Sequence, residues 1–196
     1  MNAEQLSIIP VLMIIVSSSL ILISRRWRVI IIALAVQYFG MFWLVTLVLP
    51  LGQAAVKLVV GWMSGAVLAA SQMSLSAVEK DDLELSGRVF RLLAAVLIWI
   101  LAFVTAPDLA LWLPDRGSML VGALLLVGMG LLQLGMTTSP FGVVIGLLTV
   151  VSGFEILYAP LERAVLVSGL LAVVNLGLAL AGAYLITNMQ PAEGDA

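Results

Sequence analysis

Apolar residues arrive along this chain in seven long blocks, joined by short breaks that are polar or contain proline. The blocks are residues 6–24, 29–50, 53–70, 92–113, 119–138, 141–159 and 164–186. A helix rises about 1.5 Å per residue, so about 20 apolar residues cross the hydrocarbon of a bilayer. No water is available there to bond the backbone, so apolar runs of this length read as helices. The expected fold is all-α: a polytopic transmembrane helix bundle of about seven spans, six if the fourth run does not cross. The fourth run is set apart because Pro107-Asp108 and Pro114-Asp115 point to a broken, interfacial end. Pro10 lies near the start of the first block, where a missing N–H matters least. Pro50-Leu51-Gly52 makes a tight turn before the third block.

The breaks divide the chain into units: a three-helix membrane unit at 1–70, a charged loop at 71–91, a fourth helix with an interfacial stretch at 92–117, a second three-helix unit at 118–190, and a polar tail at 191–196 expected to be disordered. EKDDLELSGRVFR, inside the charged loop, has the length of a short surface helix. With seven spans, the loops after the first, third and fifth share one side. That side collects Arg25, Arg26, Arg28, Lys80, Arg88 and Arg91, against Arg116 and Arg163 opposite. The positive-inside rule then places the N-terminus outside and the C-terminus inside.

Composition narrows the function classes. The chain is 63% hydrophobic and 10% charged, with a mean hydropathy of +1.21. A soluble domain is about half apolar and about a quarter charged. The expected location is an integral membrane protein of a prokaryotic cytoplasmic (inner) membrane. The acid in MNAEQ replaces the basic start of a secretory leader, so no cleavable signal peptide is expected. A net charge of -2 gives no basic surface for nucleic acid. The chain has no Cys and no His, which removes thiolate and imidazole ligands, Cys nucleophiles and His bases together. No phosphate-cradling loop, metal cluster or catalytic triad stands in the sequence, so no cofactor and no independent enzymatic activity are expected.

What remains is a small set of polar residues inside apolar blocks. Glu155 lies in the sixth block with no basic residue beside it until Arg163. A charge at the bilayer centre costs about 2.5–3.5 kcal/mol on insertion scales. Such a group takes up a proton, pairs with a cation or lines water, and each alternative marks a candidate site. Lys57 is the natural counterweight. It lies about a turn inside the outer end of the third block, and Glu155 about a turn inside the outer end of the sixth. Their depths therefore match well enough for an ion pair. The blander reading has Lys57 snorkelling its ammonium to the interface. Asn175, near the middle of the seventh block, and Gln37, in the second, suit either interhelical hydrogen bonding or a polar pathway. Gln133 reads the same way. Glu162 and Arg163 read as solvated loop charges, and Glu79, Asp81, Asp82 and Glu84 as a solvated face or a docking surface.

The last three blocks carry a recognisable pattern: GALLLVGMGLLQLG, the turn TTSPF, then IGLLTVVSGFEILYAPLERAVLV. This resembles the small three-helix subunit K of NADH–quinone oxidoreductase and its small counterpart in multisubunit sodium/proton antiporters. In that family a Gly-hydrophobic-Glu motif carries a membrane-embedded acid on the proton pathway, matched here by Gly153-Phe154-Glu155. The full-length layout is similar to component E of the hydrogenase-4 and formate-hydrogenlyase-type membrane arms, whose early lysine Lys57 would match. These families usually place a second acid in the next helix, where this chain has Asn175. Asn orients hydrogen bonds but exchanges no proton at neutral pH.

The resemblance implies a small membrane subunit of an ion-translocating redox or antiporter-type complex, with antiporter-like membrane subunits as partners. Glu155 would sit on the proton path, with Lys57, Asn175 and Gln37 around it. Two other readings stand beside it: a structural or assembly subunit without conduction, and a small stand-alone transporter.

Overall fold

The computed structural model describes residues 3–73, 85–111, 117–161 and 164–188. They form seven α-helices: α1 (Ala3–Ile23), α2 (Trp27–Thr46), α3 (Leu51–Met73), α4 (Leu85–Ala110), α5 (Gly117–Met136), α6 (Pro140–Tyr158) and α7 (Val165–Asn188). Among the described residues there is no strand, and the fold is all-α. Helices α2 to α7 are each long and apolar enough to cross a membrane. The chain is a polytopic membrane protein. The run that falls short is the first, whose apolar part is Ser7–Ile23; the fourth qualifies in full.

Helix α4 differs most from the sequence reading. It begins at Leu85, so the residues expected as the end of a surface loop are instead its first two turns. Pro107 stands inside the helix, which continues to Ala110. Near its start, Arg91 donates to the carbonyl oxygens of Leu22, at the end of α1 (2.7 Å), and Met136, at the end of α5 (3.3 Å). Near its other end, Phe103 shares a cavity with Ser7 and Ser118, at the opposite ends of those same helices. Helix α4 therefore runs the full depth of the bundle. The acidic run at 79–84, Glu162 with Arg163, and the tail at 191–196 lie outside the described residues.

The tightest helix pair is α5 with α6, and glycine makes it so. A Cβ on Gly130 would lie 2.9 Å from the Gly146 carbonyl oxygen, and one on Gly153 would lie 2.8 Å from the Val127 nitrogen. Without a hydrophobic drive between helices in lipid, this close approach supplies packing energy. Helix α2 fills the centre with Leu34, Tyr38, Met41, Leu44 and Val45 and touches α1, α3, α5 and α6. The bundle closes through a non-sequential contact, α3 against α7. Helices α4 and α7 lie at the rim, each with 17% of its apolar window buried, against 61% for α6.

Candidate functional site

Helical geometry explains how α6 presents Glu155. Gly153 packs its backbone on α5, so closely that a Cβ there would lie 2.9 Å from the Ala123 carbonyl oxygen. Two residues on, a helix has turned by about 200°. Glu155 therefore projects away from α5, towards α3 and α7. The glycine and the acid are two ends of one arrangement: the first lets α6 sit close, the second faces the opposite seam.

In that seam Lys57 Nζ lies 2.7 Å from Glu155 Oε2. Lys57 is 7% exposed and Glu155 2%, so the ammonium stays in the bundle and does not snorkel. Helix α3 packs chiefly on α2 and α7. The length of the lysine stem, more than close helix packing, carries the charge to α6. Asn175 Nδ2 donates to the other carboxylate oxygen, Oε1, at 2.6 Å, and also to its own helix at Leu171 O, at 3.3 Å. Tyr38 then donates its hydroxyl to Asn175 Oδ1 at 3.2 Å. These contacts fix the amide orientation, since a flip would turn its oxygen onto the carboxylate. Four helices, α3, α6, α7 and α2, thus meet in one chain of side chains: Lys57, Glu155, Asn175, Tyr38.

Gln37 stands apart from this chain although it adjoins Tyr38 in sequence. Its Nε2 donates to Thr149 Oγ1 at 3.3 Å, and Thr149 donates onward to the Ile145 carbonyl at 2.8 Å. Gln37 Oε1 is buried without a partner. The structure therefore brings together Lys57, Glu155 and Asn175 and sets Gln37 on a separate polar contact between α2 and α6.

Tyr38 is the member that sequence reasoning passed over. Its ring lies against Gly61, where any Cβ would clash with the ring carbons. The signal was available: a tyrosine in the middle of a span, where the interfacial belt usual for tyrosine does not reach, on the same helical stripe as Leu34 and Met41.

Each carboxylate oxygen accepts from one donor. The small cleft beside it, lined by Val56, Lys57, Val60, Glu155, Ser168, Ala172 and Asn175, is too tight for a water molecule. As an ion pair, Lys57 and Glu155 add no net charge to the membrane interior. Among the described residues no group of three His, Cys, Asp or Glu comes together as a metal site would require.

Comparison with protein-family models, curated proteins and solved structures gave no match.

Proposed function

We propose that this protein is a membrane subunit of an ion-translocating complex of redox or antiporter type, and that Glu155 takes and releases a proton within the bilayer. The observation that carries this reading is the Lys57–Glu155 pair, buried at 2.7 Å and linked through Asn175 to Tyr38. Ionisable residues inside a membrane are costly, and they mark ion pathways and proton relays. Lys57 balances the carboxylate, Asn175 orients it, and Tyr38 holds the Asn175 amide. An event in a partner subunit that draws the ammonium away from Glu155 would move the proton. The resemblance of Gly153-Phe154-Glu155 to the subunit K motif supports the same assignment.

A second reading, a structural subunit whose ion pair fixes helix register, is favoured by the tight cleft and by the two donors already on the carboxylate. Buried pairs serve such a role in some proteins. The two separate cleanly. In membrane vesicles holding the native complex, the double variant Lys57→Met with Glu155→Gln removes both charges together. Proton translocation is expected to be lost while the complex still assembles. Wild-type translocation in that variant would exclude the relay and leave the structural reading.

A further inference from the structure

A second polar centre lies at the other end of the bundle, roughly 20 Å along α6 from Glu155 at about 1.5 Å per residue. There the α1–α2 junction, the start of α4 and the α5–α6 junction enclose a cavity of about 130 Å³, well above what one water needs. Two arginines line it, Arg25 and Arg91, and none of its described lining residues is acidic. Their charges are close enough to act on each other. Like charges held together beside one cavity are stabilised by an anion in it. Arg91 is held in place by the carbonyls of Leu22 and Met136. Those bonds use two of the five guanidinium N–H donors.

The other walls fit the same ligand. Thr137 and Ser139 bring hydroxyls to the cavity, and Ser139 caps the N-terminus of α6, whose positive dipole end favours an anion. Gln133, which is 6% exposed, lines the cavity as well. The cavity stands at the arginine-bearing helix ends, and basic pockets between spans hold anionic lipid headgroups.

We infer that Arg25, Arg91 and the α6 N-terminus form a binding site for the phosphate of an anionic phospholipid. The inference is independent of the role of Glu155.

The test uses the full chain purified in mild detergent, with lipid retention read by native mass spectrometry. Phosphatidylglycerol is expected to be retained in preference to phosphatidylcholine. Arg25→Gln is expected to weaken that retention about tenfold, as loss of one charge-assisted hydrogen bond implies. Arg28→Gln, whose guanidinium stacks on Trp27 away from the cavity, is the control and is expected to retain lipid as wild type does. Equal retention of both lipids, or equal effects of Arg25→Gln and Arg28→Gln, would overturn the site. Stabilisation by inorganic phosphate at matched ionic strength, with no lipid preference, would overturn the lipid assignment.

Discussion

An ammonium left in hydrocarbon without its carboxylate is more costly than a bilayer that never held either. Removing one partner of a buried pair costs about 3–5 kcal/mol, while replacing both with apolar groups is often near neutral. Glu155→Leu is therefore expected to destabilise the bundle by about that amount, and Lys57→Met with Glu155→Leu by much less than the sum of the single variants. Equilibrium unfolding in mixed micelles checks this, and additive losses would mean that the 2.7 Å pair contributes no coupling. Tyr38→Phe removes only the hydroxyl that Asn175 accepts. Its expected cost is about 0.6 kcal/mol, the usual scale of an interhelical hydrogen bond in membranes. At this scale the sequence was partly legible. Glu155 and Lys57 stood out because charges are rare in apolar blocks, and counting residues from the block ends placed them at matching depths. Tyr38 was not legible in the same way. Its apolar ring hides it in hydropathy, and only its distance from either interface betrays it.

Helix α6 gains its position from what it lacks. The backbone contacts at Gly130 and Gly153 leave no room for a methyl group, and backbone cannot move aside as a flexible side chain can. Gly153→Ala is expected to cost about 1–3 kcal/mol by overpacking and, by tilting α6, to lengthen the Lys57–Glu155 distance. The same unfolding assay reads the first effect. Gly169→Ala on the outer face of α7, where nothing lies within 4 Å, is expected to be silent. If both variants behave alike, close packing of α5 on α6 does not hold the site. The lengths of the elements could be read from the chain because every block must reach across the same hydrocarbon. Their azimuths could not. Interior and lipid are both apolar, so a block that is hydrophobic all round gives no face to assign, and the α3–α7 seam could not be inferred. Pro107 misled for a related reason: a proline near a helix end can be carried when the surrounding helix is apolar and membrane-bound.

Among the described residues, the Lys57–Glu155 network and the Arg25–Arg91 cavity lie towards opposite ends of a predominantly apolar bundle. The chain contains no cysteine, so single cysteines report cleanly on which face a position occupies. Thr138→Cys, before α6, and Leu161→Cys, after it, are expected to react with a membrane-impermeant maleimide from opposite sides. By the distribution of arginines, Leu161→Cys is the one that labels from outside. Labelling of both from one face would mean that α6 does not cross. The α3–α7 closure also bears on how the molecule is made. Lys57 and Glu155 are 98 residues apart in the chain. At about 5–20 residues per second of synthesis, Lys57 enters the bilayer roughly 5–20 s before its counterion exists. For that interval α3 carries an unbalanced charge, held in place by the ribosome and the insertion machinery and not yet by the fold. A ribosome that stalls before α6 leaves Lys57 on the nascent chain without its counterion.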